Sequence, residues 1–191
     1  ENMTDPYKNF AELARNEIEG VDYSISFVAR GNGSLLIAAP HAGVIEVGTS
    51  SISELIAGDD HSLYQFESHK VVDENYISLH ITSHIFDEPT CIRAVESHDF
   101  IVTIHGCHNS EEIVFLGGMH QKLIDNIAEG IRNIGIDVRT ENHRFPGRHR
   151  NNICNRGRSG MGVQVELSEP LRQVGNYTKI VSAIRSSLEE I

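Results

Sequence analysis

Apolar residues recur along this chain with two different periods, and the changes of period predict its helices and strands. In DPYKNFAELARNEI, helical spacing gathers Phe10, Leu13 and Ala14 on one side, which predicts an N-terminal helix begun by Asp5 and Pro6. DYSISFVAR and SLLIAAP then flank GNG, a hairpin-type punctuation that predicts two adjacent antiparallel strands. TSSISELIAG carries Ser51 and Glu54 in capping-box spacing and ends on Gly58, as a short helix does.

LYQFES and YISLHIT read as further strands, and DEPTCIRAVESH as a helix with acids and Pro89 in its first turn. DFIVTIHG is a short, β-branched apolar run of the kind that forms a central buried strand, and EEIVFLGG is another strand. MHQKLIDNIAEGIRNIG is the clearest amphipathic helix and stops at Gly135. GVQVELS and NYTKIVSAIRSSLEEI supply a last strand and a last helix. Strands interleaved with helices, without repeats or low-complexity tracts, predict the α/β class: one domain over residues 1–191 with an open mixed β-sheet flanked by helices on both faces.

Composition narrows this picture. A chain of 191 residues can bury one sizeable core, and no apolar run approaches the roughly 20 residues of a bilayer span, so no membrane partner is expected. A soluble chain is expected from this composition, and ENMTDPYKNF, with neither a basic nor an apolar signal-peptide region, reads as no signal peptide. Cys91, Cys107 and Cys154 are odd in number and fit neither a disulfide framework nor a zinc knuckle, so they read as reduced or packed thiols.

A net charge of -11 argues against nucleic acid as a partner. Residues 139–158 depart from it: six arginines and one glutamate give a basic island on an acidic body. Arginine forks bind carboxylates in pairs of hydrogen bonds, so Arg139, Arg144, Arg148, Arg150 and Arg156, with Asn152, are candidate contacts to an anionic substrate. A solvated surface loop is the plainer alternative.

Three polar residues stand at the ends of apolar strands: His41 after LLIAAP, His105 closing FIVTIH, and Glu166 within GVQVELS. Binding crevices form at that edge of open α/β sheets. Glu46 lies within reach of His41 across a loop opened by Pro40 and Gly43. Two imidazoles and a carboxylate, with a fourth position for water, are the ligand set of a catalytic zinc ion, and a separate carboxylate must then move protons. His41, Glu46 and His105 are the candidate ligands and Glu166 the candidate base. Arg93, on the intervening helix, is a candidate to polarise the scissile carbonyl. His-x4-Glu alone is a weak pattern in a chain with eleven histidines, and a core in which histidines satisfy one another competes with it. His108 is a reserve ligand; His61, His69, His80, His84, His98, His120 and His143 lack the strand-end placement.

APHAGVIEVGTS, LHITSHIFDEP, TIHGCH, NICNRG and GVQVELS, in this order, resemble the phage and Bacillus poly-γ-glutamate hydrolase family from about Tyr7 to Arg172. The resemblance implies a compact, monomeric relative of the zinc carboxypeptidases with one zinc ion on His41, Glu46 and His105, and Glu166 as general base. It implies endo-hydrolysis of the γ-amide bonds of a polyanionic, γ-linked glutamate polymer, outside the cell after lysis or export. The five-residue step from His41 to Glu46 is longer than the His-x-x-Glu of zinc carboxypeptidases. Two other readings fit the same residues: a zinc-dependent deacylase of small N-acyl amino acids such as N-acylglutamate, and a polyanion-binding module without chemistry.

Overall fold

The computed structural model describes residues 5–70 and 78–189. Its helices are α1 (Phe10–Asn16), α2 (Thr49–Ala57), α3 (Pro89–Glu96), α4 (Gln121–Asn133) and α5 (Tyr177–Leu188). Its strands are β1 (Tyr23–Val28), β2 (Leu35–Gly43), β3 (Ser62–Ser68), β4 (Phe100–Gly106), β5 (Ile113–Gly118), β6 (Asp137–Arg139) and β7 (Gly162–Leu167). They form one seven-stranded sheet in the order β1-β3-β2-β4-β7-β5-β6. The four central strands β3, β2, β4 and β7 run parallel; β1 and β5 join them antiparallel, and β6 lies parallel to β5 at the edge.

Every second residue of the central strands faces the same core, as the period of a strand requires. Leu35, Ile37, Val102, Ile104, Val163, Val165 and Leu167 pack against α2, α4 and α5. Leu36, Ala38 and Ile101 face the opposite core with Leu13 of α1 and Cys91, Ala94 and Val95 of α3. The mixed sheet covered on both faces is as expected, and β2, buried along nearly its whole length, occupies the centre that its unbroken apolar run demands.

The hairpin expected at GNG does not form. β3 lies between β1 and β2, pairing antiparallel with the first and parallel with the second. Gly31 and Gly33 do take left-handed backbone, yet they turn a loop that joins separated strands, because both flanks of β2 are taken by parallel neighbours. Of the strand expected over YISLHIT, Tyr76 and Ile77 lie outside the described residues; residues 78–82 join no ladder. His80 N–H donates to Ser78 Oγ and Thr82 N–H to Asp5 Oδ2, so side chains take the place of a neighbouring strand.

Helix starts also shift. Asn9 caps α1 by accepting from Glu12 N–H, so the helix begins beyond Asp5 and Pro6. Left-handed Gly48 precedes α2, which starts before Ser51 can form a capping box. Glu88 caps α3, accepting from the N–H groups of Thr90 and Cys91 while its buried carboxylate also accepts from Tyr64 Oη. The three-residue edge strand β6 falls just after the α4 pattern ends and is too short to show a period of its own.

Candidate active site

Strand alternation places the polar residues. In β7, Val163, Val165 and Leu167 enter the α2/α4/α5 core, which turns Gln164 and Glu166 to the other face. In β4, Val102 and Ile104 do the same, leaving Thr103 and His105 on that second face. His105 and Glu166 are direct register partners. His41 arrives at the C-terminal end of β2, after a register shift between Ala39 and Ala42.

Glu46 reaches the same point through a closed loop. Its N–H donates to His41 C=O at 2.9 Å, and Val44 N–H donates to Ser68 C=O at 3.0 Å. Gly43 makes the bend at φ 70°, so tightly that a Cβ there would stand 2.2 Å from Ser68 O. This is why a five-residue step brings both side chains together where simple spacing rules do not foresee it.

His41 Nδ1 lies 3.0 Å from Glu46 Oε1 and 3.1 Å from His105 Nδ1, and His105 Nδ1 lies 3.5 Å from Glu46 Oε2. All three residues are buried. Tetrahedral ligands at zinc bond lengths stand about 3.3 Å apart, so these separations fit one ion. His41 Nε2 donates to Ile81 C=O at 2.8 Å, an outer hydrogen bond that turns Nδ1 toward the other two groups. Gly106 N–H donates to Glu46 Oε2 at 2.9 Å. Among the described residues, His105 Nε2 is buried without a hydrogen-bond partner. Two imidazole nitrogens and a carboxylate oxygen within 4.8 Å of one another are a donor set that fits a metal ion.

Burial works against the Glu46 charge, but His41 and His105 outweigh it and hold its carboxyl well below the usual carboxylate range. Glu166 is pushed the other way: burial, reinforced by the Glu46 charge, lifts its carboxyl well above the usual range against the pull of Arg144, Arg172 and a hydrogen bond from Gln164. The two neighbouring carboxyls are thus pushed in opposite directions by their surroundings. Gln164 Nε2 donates to Glu166 Oε1 at 3.0 Å, and Asn152 Nδ2 donates to Gln164 Oε1 at 2.8 Å, so a buried amide pair holds the Glu166 carboxyl.

These groups open into a cleft of about 610 Å3. Arg144 and Arg148 line it, as does Asn152, which reaches the site through Gln164. Arg139 and Arg150 are exposed and stand outside the cleft lining, and Arg156 turns to Glu96 at 3.7 Å. The loop is not a loosely solvated one. Gly118 N–H donates to Pro146 C=O, and Asn155 Nδ2 donates to the carbonyls of Gly147 and His149 at 2.7 and 3.1 Å. Arg93 does not join the site: it is exposed on α3, where its guanidinium donates to Thr90 Oγ1. His108 lines the cleft but is exposed, and its ring pairs with Glu169 rather than with His41, Glu46 or His105. Burial lifts the Cys107 thiol to about 12, so it is a packing residue and no nucleophile.

Two residues escaped the sequence reading. Gln164 could have been found, because it stands two positions before Glu166 on the same strand face. His80 could not: its ring lies 4.0 Å from that of His41, held by Asp5 at 2.6 Å, through a contact spanning 75 positions.

A sequence model of the family described as poly-gamma-glutamate hydrolase matches residues 7–185. The Bacillus subtilis (strain 168) protein YmaC is 32% identical over 99% of this chain and 86% of its own. A solved structure of a bacteriophage poly-gamma-glutamate hydrolase superposes with a TM-score of 0.90 at 30% identity, covering 98% of both chains. A zinc-free structure of Bacillus subtilis YndL gives 0.88 at 26% identity, covering 97% of this chain and 98% of its own.

Proposed function

The chain belongs to the poly-γ-glutamate hydrolase family, and from that premise we propose that it cuts γ-amide bonds within poly-γ-glutamate, with zinc held by His41, Glu46 and His105 and Glu166 as general base. The observation that carries this reading is the meeting of three buried metal-donor atoms beside the buried Glu166 carboxylate, the register partner of His105. A zinc ion in that place supplies a more acidic water and a more electrophilic carbonyl.

The residues of the chain supply the rest. Glu166 takes a proton from the attacking water as the new C–O bond forms at the γ-carbonyl. It holds that proton until the C–N bond breaks, and then hands it to the α-amine that leaves. Gln164 fixes the carboxylate from one side, with Asn152 behind it. Arg144 and Arg148 offer charge to the α-carboxylates that recur on every residue of the polymer, and Arg144 is near enough to Glu166 to lower its pKa.

An arginine-lined cleft favours a polyanion over a small N-acyl amino acid. The test is the viscosity of poly-γ-glutamate over time, beside release of acid from N-acylglutamate. A rapid fall in viscosity that a chelator stops and zinc restores is expected. Hydrolysis of N-acylglutamate with the polymer left intact would favour the deacylase, and binding without chain shortening would favour the non-catalytic module.

A further inference from the structure

Arg172 ends the short 3-10 turn Pro170–Arg172 that follows β7, and its guanidinium is spent on three backbone carbonyls from three separate segments. Nε donates to Leu167 C=O at 3.0 Å, Nη2 to Cys107 C=O at 3.3 Å, and Nη1 to Val47 C=O. Val47 is the residue after Glu46, Leu167 the residue after Glu166, and Cys107 stands two positions after His105. A single side chain therefore binds the backbone beside two metal-facing groups and beside the base. We propose that Arg172 is a positioning residue that sets Glu46, His105 and Glu166 at their working separations; the inference rests on the metal reading above.

Two glycines show how closely the site is fitted here, Gly106 against the Arg172 guanidinium and Gly48 against the Arg172 backbone. A Cβ on Gly106 would stand 2.6 Å from Arg172 Cζ, so the residue between His105 and Cys107 has no side chain where the guanidinium lies. Gly48, at φ 96°, passes the Arg172 backbone so closely that a Cβ would meet its carbonyl oxygen at 2.6 Å. The Glu46 loop and the end of β4 are thus both fitted around residue 172. Arg172 does not line the cleft, which separates its role from that of Arg144 and Arg148. A lysine at this position keeps the charge but has no planar fork to span three carbonyls.

The test is zinc affinity, by competition with a chelator, together with kcat and KM for wild type, Arg172→Lys, Arg172→Gln and Gly106→Ala. Loss of an outer partner of a metal ligand costs about tenfold or more in affinity. All three variants are expected to show that loss, with lower kcat and unchanged KM, and lysine is expected not to rescue. Gly106→Ala is the second route, since its methyl group displaces the guanidinium while Arg172 stays in the chain. Wild-type zinc affinity and kcat in the variants, or a raised KM alone, would overturn the inference. A wild-type chain that takes up no zinc would overturn the metal reading and this inference with it, whereas equal zinc binding by wild type and variants would remove only the role of Arg172.

Discussion

The Nδ1 atoms of His41 and His105 face each other at 3.1 Å, with the Glu46 carboxylate closing the third side. Two imidazole nitrogens and a carboxylate at that separation are a donor set that a cation would bridge. Binding of zinc should therefore stabilise the folded chain: at a free concentration 100 times the dissociation constant, the gain is about 2.7 kcal/mol. A rise in melting temperature on adding zinc to chelator-treated wild type, absent in Glu46→Gln, is expected in calorimetry. An equal rise in both would remove Glu46 from the ligand set.

The Glu46 loop depends on Gly43. Alanine there meets the Ser68 carbonyl and must hold a left-handed backbone, so Gly43→Ala should cost on the order of 2 kcal/mol or more and weaken metal binding. Denaturant unfolding with a zinc titration measures both. Unchanged values would mean that the loop can close another way.

Among the arginines, the cleft separates those that touch substrate from those that do not. Charged hydrogen bonds are worth about 1.5–3 kcal/mol. Arg144→Ala or Arg148→Ala should therefore raise KM about tenfold, by an amount that shrinks as salt is added. Arg93→Ala, with its side chain exposed on α3, should leave kcat and KM unchanged. A large loss of kcat in Arg93→Ala would restore it as a carbonyl-polarising group.

Asp5 gives a pH dependence of stability. Burial opposes its charge, but hydrogen bonds from His80 and Thr82 outweigh this and bring the carboxyl from 3.8 down to about 2. A depressed carboxylate contributes stability that is present above its unfolded value and is lost as pH falls through its folded value. The difference in melting temperature between wild type and Asp5→Asn should shrink as pH falls from about 4 to about 2; at higher pH it also follows the charge of His80, whose pKa burial lowers from the usual imidazole value. A difference that persists at lower pH would show that the Asp5 charge is not its source.

Much of this was legible in the chain itself. Strand-end placement found His41, His105 and Glu166, because a polar residue closing an apolar run has few places to go other than a crevice. Helix α4 announced itself by its period, α2 by the glycine that ends it and β4 by its β-branched apolar run. What the sequence hid was long-range: β3 inserting between β1 and β2 depends on parallel pairing that no turn residue records, and His80 enters the site through Asp5. The arginine island was visible as charge, yet which of its members face the cleft depends on how the loop is pinned at Gly118 and Asn155. The spacing of His41 and Glu46 looked unfavourable until the loop was seen to close on its own backbone.

The central claim is that Glu166 moves protons at a metal site it does not help to hold. Elemental analysis of purified Glu166→Gln, paired with its rate of poly-γ-glutamate chain shortening, tests this most directly. One zinc per chain with turnover reduced by orders of magnitude is the predicted result. Full turnover in this variant, or wild type that carries no metal and still shortens the polymer, would contradict the account.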